Sequence, residues 1–484
     1  MSSDVAYQSA AELLANLRAG HLSAVEALDA LTARCAERNP EINVVVTTDL
    51  ERARERARAI DEARARGEAL GPLAGLPMTV KDSLMTEGML TTSGAPELAD
   101  FVPDHDAASV ARLKAAGAVI WGKTNLPIYA GDAQSYNEVF GASNNPWDTT
   151  RSPGGSSGGS AGALAAGFTP LEVGSDIGGS IRIPSAMCGT VGHKPSYGIV
   201  SAKGQIPGPP GTLTEADLAV VGPMARTVED CRLALGLLAG ADDWHEIGWR
   251  LELPPARRRG PEGLRVAVWA DDPYCPVDPE IAAAIERVAG QLEAVGAVVD
   301  HTARPAGFDF AKADAVFWQL LGAALSGGWS PAEIEELAAR AARGDAPEGA
   351  LGVGGVTARH RAWLSANERR LQMRARWREF FGQWDVLLAP VSPTVAIPHD
   401  HSYPMTARMI DVAGEPRPYM SQMQWMGLFG AVYLPVTVVP IGLHSNGLPI
   451  GVQVAGPFLE DHTTLAAAGF IEALVGGTRR PPGW

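Results

Sequence analysis

Between Ser152 and Pro184 the chain reads SPGGSSGGSAGALAAGFTPLEVGSDIGGSIRIP, with serines recurring beside glycine pairs. A serine hydroxyl can attack a carbonyl, but it is a weak nucleophile and needs a base beside it. The candidate base is an amine. The chain has only six lysines (Lys81, Lys114, Lys123, Lys194, Lys203 and Lys312) among 40 basic residues. That arginine bias reads as genomic base composition, yet each remaining lysine is a group that can lose its proton where arginine cannot. Lys81 directly follows the apolar stretch Met78–Val80. Burial there would lower its pKa toward neutrality, as a general base requires. Asp82 need not neutralise it, because successive side chains of a strand point to opposite faces. A solvated surface lysine is the ordinary alternative, and it suits so apolar a setting poorly.

Two other glycine motifs compete. Gly117–Thr124 matches the phosphate-loop pattern, but its four variable positions are Ala-Val-Ile-Trp, a buried strand, and Pro127 interrupts the helix that should follow. Gly155–Gly159 matches the nucleophile elbow GxSxG, which must follow an apolar strand, whereas Arg151–Gly154 reads as loop. A flexible glycine-serine linker is also a poor reading of Ser152–Pro184. Ala161–Ala166 is a strong helix former and Leu171–Val173 an apolar strand, so the glycines bound rigid elements.

Composition narrows the class. The formal charge of −15 argues against a nucleic-acid binder. The four cysteines form no CxxC pair, which disfavours zinc ribbons and redox dithiols and fits a reduced, cytoplasmic chain. His399-Asp400-His401 lacks an evident third ligand, so a solvated loop is expected there rather than a metal site. The apolar stretch Met426–Val439 is too short for a membrane span.

The elements that must position these residues alternate in type. Helices are expected at 11–18, 24–38 with Ser23 as N-cap, 50–66, 107–116, 228–238, 279–295 and 463–474. Strands are expected at 78–80, 118–121, 265–269, 297–299 and 385–389. A hairpin is expected from 436–439 and 450–454 around His444–Gly447. This is an α/β pattern, a central mixed β-sheet flanked by helices on both faces. The expected organisation is a helical N-terminal region (1–67), a core of about 60–245 and 384–484, a linker at 244–263 and a smaller helical insertion at about 264–381.

The segments Pro153–Ser160 and Gly174–Pro184 resemble the amidase signature family. So do Gly75–Asp82, Gly122–Asn125, Asn145–Trp147, Gly192–Pro195, Gly222–Arg226 and Gly447–Gln453. The resemblance spans most of the chain outside about 250–380. It implies a Ser–Ser–Lys triad with Ser180 as nucleophile, Ser156 as bridging serine and Lys81 as base. Ser157 is the rival for the bridging role, and the 24-residue spacing from Ser156 to Ser180 favours Ser156. The family pattern also implies a cis peptide at Gly155–Ser156. Ile177, Gly178, Gly179 and Ser180 would supply an oxyanion hole, aided by a helix starting at Ser180. Asp176 and Arg182 would hold that loop, with Ser175 in the same network.

The implied reaction is hydrolysis of a carboxylic amide, and possible substrates extend to aryl amides, esters and carbamates. No cofactor or metal is implied. Tyr129, Ala130, Gly131 and Asp132 would line the acyl side. Ile206, in a loop at about 203–212, with Met420, Met423 and Trp425, would form an apolar wall, although such side chains at helical spacing are commonly plain core. Expected partners are a small-molecule substrate, no nucleic acid, and at most a second copy, as monomer or homodimer. The rival within the family is the amidase subunit of a glutamine-dependent tRNA amidotransferase, which needs partner subunits. The rival of another class is a non-catalytic binding protein on the same scaffold.

Overall fold

The computed structural model describes residues 5–207, 210–343 and 353–484. Its N-terminal helices are α1 (Ala10–Ala19), α2 (Ala24–Ile42) and α3 (Leu50–Ala65). The first two start on reciprocal caps, Ser9 with Glu12 and Ser23 with Glu26, which satisfy the free N–H groups of the first turn. A small sheet follows, with β1 (Val45–Thr48) antiparallel to β3 (Val119–Thr124) and β3 parallel to β2 (Pro77–Lys81). Helix α4 (Ala108–Ala115) connects β2 to β3. The phosphate-loop match thus lies on a buried strand, and Lys123 points its amine at Thr86 and Thr91.

The main sheet contains β4 (Leu171–Asp176), β5 (Val191–Lys194), β6 (Val220–Ala225), β7 (Arg265–Val268), β8 (Val298–Asp300) and β9 (Val386–Pro390). After an outlying hairpin, β10 (Met409–Val412) and β11 (Glu415–Pro418), come β12 (Val436–Leu443) and β13 (Pro449–Ala455). The strand order is β8-β7-β9-β13-β12-β5-β6-β4, parallel among β8, β7 and β9 and antiparallel elsewhere. The sheet is therefore mixed. Helices α5 (Gly158–Ala165) and α6 (Arg182–Cys188) pack together as one group. Helices α7 (Val228–Leu238), α8 (Pro279–Ala294) and α13 (Asp461–Val475) pack as another, and the two groups cover the sheet separately. The remaining helices include α9 (Phe310–Leu325), α10 (Pro331–Arg343), α11 (His360–Gln383) and α12 (Gln424–Gly430).

Two expectations need correction. The 264–381 segment is not an insertion apart from the core: its expected strands, β7 and β8, extend the main sheet edge, and α8 packs on that sheet. The helix expected at Ser180 starts at Arg182, because Ile181 takes the cap position and Asp176 accepts from the N–H of Ile181. The expected hairpin at His444–Gly447 does join β12 and β13, each longer than the sequence pattern suggests.

Candidate active site

Strand β2 ends at Lys81 and runs beside β4, the edge strand of the main sheet. Side chains tie the two edges: Thr79 Oγ1 donates to Glu172 Oε1 at 2.6 Å, and Lys81 Nζ donates to Ser175 Oγ at 3.0 Å. Lys81 Nζ also donates to Ser156 Oγ at 2.6 Å. The lysine is fully buried. Burial pulls its pKa from 10.5 down to about 7, against the opposing pull of Asp176 and Glu172. An amine poised near neutrality can take a proton from a neighbouring hydroxyl and give it back.

Ser156 sits in the turn leading into α5, and its peptide bond with Gly155 is cis. Gly155 is required by close approach: a Cβ there would lie 2.6–2.7 Å from backbone atoms of Asp132, Ala133 and Gln134. The neighbouring Ser157 is turned away, its Oγ 3.4 Å from both the carbonyl and the N–H of Ser175. Of the two adjacent serines, only Ser156 meets the amine. The N–H of Ser157 donates to the carbonyl of Ser180 at 3.1 Å, which draws the two serine segments together.

Ser180 follows the tight loop after β4. Gly179 has φ +117°, a left-handed conformation in which a Cβ would meet Met426 and Ile183. A buried ion pair holds the loop. Arg182 Nη2 and Nε donate to the two Asp176 oxygens, each at 2.9 Å, and Arg182 Nη1 donates to the Met426 carbonyl and to Gln453 Oε1. Burial alone would raise Asp176, but Arg182 outweighs it and holds the carboxyl down at about 2. Asp176 also accepts the N–H of Gly179 at 2.8 Å. Gly179 is thus already engaged, a correction to the four-donor expectation. The N–H groups of Ile177, Gly178 and Ser180 make no hydrogen bond among the described residues. Three backbone donors beside a serine hydroxyl suit a developing oxyanion.

Ser180, Gly155, Ile177 and Gly178 line a narrow cleft with a free volume of about 50 Å³. Ala130, Gly131 and Asp132 line it as well, as do Met420 and Met423. Its remaining wall brings in Leu321 and Leu325 of α9, Met405 and Tyr419. The leucines lie one turn apart in the insertion, and nothing in the sequence links them to the serines. Three expected wall residues lie elsewhere. Trp425 is buried in the core, edge-on to Trp269 and Phe310, with its indole N–H donated to the Cys275 carbonyl. Ile206 is buried between Ser83 and Ser93, and residues 208 and 209 of its loop lie outside the described residues. Tyr129 turns outward to Glu97, its hydroxyl donating at 2.5 Å. Asp132 lines the cleft but is engaged: Tyr419, Tyr136 and Arg408 donate to it at 2.6, 2.9 and 2.6 Å.

A second serine, histidine and aspartate group is closed off from the cleft. Asp461 lies 3.1 Å from His193 and accepts from Ser196 Oγ, so this serine faces the carboxylate and not the imidazole. His401 stacks on Tyr136, and His399 bonds Asn144. Among the described residues no group of three or more His, Cys, Asp or Glu is placed to hold a metal ion.

A buried lysine at the end of β2, in the small sheet, lies between two serine-bearing segments at the edge of a mixed α/β main sheet. The chain belongs to the amidase family, whose model matches residues 26–465. It is an enzyme of carbon–nitrogen amide chemistry. It is 37% identical to a glutamyl-tRNA(Gln) amidotransferase subunit of Moorella thermoacetica, over 98% of each chain. A solved bacterial aryl acylamidase of the amidase signature family superposes with a TM-score of 0.81 at 25% identity, covering 97% of this chain and 96% of that one. A 6-aminohexanoate cyclic dimer hydrolase superposes at 0.79 with 28% identity over 99% of each chain.

Proposed function

We propose that this enzyme hydrolyses a neutral, apolar amide through an acyl-enzyme on Ser180. The observation that carries the reading is the 2.6 Å contact between the buried amine of Lys81 and Ser156, beside the cleft that Ser180 faces. Neutral Lys81 takes the proton of Ser156 as Ser156 takes that of Ser180. Ser180 Oγ bonds to the carbonyl carbon, and the oxyanion rests on the N–H groups of Ile177, Gly178 and Ser180. The proton returns through Ser156 to the leaving nitrogen, the C–N bond breaks, and water releases the acid by the same relay.

The wall of Ile177, Leu321, Leu325, Met405, Met420 and Met423 supports an apolar acyl group. Methionine side chains are flexible enough to yield to different shapes, which suits so narrow a cleft. A charged substrate would need its own partners inside it. The Asp132 carboxylate in that wall is already bonded to Arg408 and two tyrosines.

A second reading, the glutamine-hydrolysing component of a tRNA amidotransferase, is favoured by the 37% identity to a protein of that name. One panel separates them: the purified chain is given acyl anilides, aliphatic amides, esters, carbamates and glutamine, with Ser180→Ala as control. Turnover of an apolar anilide or amide by the chain alone, lost in the control, supports the first reading. Turnover of glutamine alone, or only after partner subunits are added, rejects it.

A further inference from the structure

Glu172 is a fully buried carboxyl that the reaction above does not use. It lies on β4 three residues before Ser175, and Thr79 lies on β2 two residues before Lys81. Two side-chain bonds therefore run side by side across the seam, Thr79 to Glu172 and Lys81 to Ser175. The second oxygen of Glu172 accepts the N–H of Val173 at 3.0 Å. Thr124 of β3 and Ser160 of α5, 2.9 Å apart, complete a ring of hydroxyls around it. Among the described residues no arginine pairs with this carboxyl, in contrast to Asp176 further along the strand.

We propose that Glu172 is a positioning residue for the base: its charge, tied by Thr79 to the strand that carries Lys81, helps set the pH at which that amine is neutral. The inference rests on Lys81 being the base. The charged groups around Lys81 are Glu172 and Asp176 on β4, Asp82 next to it in the chain and Lys123 on β3, with Arg182 and Lys194 behind Asp176. Asp176 acts most strongly on Lys81 but is paired with Arg182, and Asp82 is lowered chiefly by Lys123, whereas Glu172 forms no ion pair among the described residues. Its charge acts on both Lys81 and Lys123. Burial raises Glu172 itself to about 7, against the hydrogen bonds from Thr79 and the Val173 N–H that favour its charged form.

The scarcity of lysine makes the test direct. With ¹³Cε-lysine incorporated, the chain gives six lysine resonances, and Lys81 is assigned by its absence in Lys81→Arg. In Glu172→Gln the Lys81 titration midpoint is expected to move down by about one pH unit, a tenfold change in proton affinity. Thr79→Val keeps the shape and removes one donor from the carboxylate; a smaller shift in the same direction is expected. The acidic limb of the pH–kcat profile should follow both shifts, with the plateau kept within a few-fold. An unmoved Lys81 midpoint in Glu172→Gln overturns the inference, as does an unmoved midpoint in Thr79→Val if the first variant fails to fold. A chain whose activity survives Lys81→Arg would overturn the Lys81 reading instead, and the resonance measurement distinguishes the two failures.

Discussion

In the proposed mechanism a single side chain, Lys81, sets the pH range of the chemistry. Its pKa near 7 predicts activity that rises with pH through about 7, as the ammonium loses its proton, and is lost below it. A pH–kcat profile on an anilide checks this. Lys81→Arg should abolish turnover while leaving the fold intact, because a guanidinium stays protonated. Ser180→Ala should cut kcat on the order of 10⁴-fold, with substrate binding little changed. Lys81 is singled out by the apolar run before it, whereas the choice of Ser156 and Ser180 among many serines comes from the resemblance to the amidase signature family. In the sequence the choice between Ser156 and Ser157 rests on spacing alone, and the structure gives its physical cause: only Ser156 points at the amine. Glu172 carries no legible signal, since an acid inside Leu-Glu-Val reads as one solvated position on a strand. Its burial beside Thr79 depends on a neighbouring strand from a different sheet.

The loop from β4 to α6 is braced by side chains from its own two ends. Gly178 and Gly179 mark it in the sequence, and Asp176 and Arg182 read as its brace. The brace is a fully buried ion pair, and removing one partner leaves the other charge uncompensated. Arg182→Met should therefore destabilise the chain by about 3–5 kcal/mol in denaturant unfolding and lower kcat by releasing the loop. The same carboxylate takes the Gly179 N–H away from the cleft, something no motif discloses. Strands β5 and β6 escape periodicity because each carries glycine, and β6 also proline, residues that read as breakers. They are tolerated here by close packing: a Cβ on Gly222 would lie 2.3 Å from the His193 carbonyl. Trp425 shows the opposite error. It shares a segment with Met420 and Met423, but the single turn at Tyr419–Met423 gives way to α12 and directs Trp425 into the core. Met423 instead lies against Gly178, so Met423→Ala should enlarge the cleft and lower KM for bulkier acyl groups relative to small ones.

Across the whole molecule, Asp385 joins parts distant in sequence. It receives Arg257 and Arg258 from the segment that reads as a linker, and Arg265 from β7. Burial alone would raise this carboxyl, yet its arginine bonds hold it below its ordinary 3.8. A depressed folded-state pKa gives stability that is present above about 4 and is lost as the pH falls through the lower folded value. Asp385→Asn should accordingly narrow the difference in melting temperature between neutral pH and the acid range, measured against the parent chain. Asp385 does not line the cleft, so kcat at neutral pH should change little.

Local pattern is enough for the α/β alternation, the Ser23 cap and the residue types of the candidate site. Those are local properties, set by periodicity, by cap chemistry and by the few side chains able to attack or to accept a proton. Long-range packing fixes which serine meets Lys81, which backbone donors remain available, and that Leu321 and Leu325 line the cleft. It also decides that Asp132 is engaged and that Glu172 is bonded to Thr79 across the seam between the two sheets. Each of these depends on contacts between segments distant in the chain, and in a buried, low-dielectric interior such contacts govern whether a charge or a donor is available for chemistry.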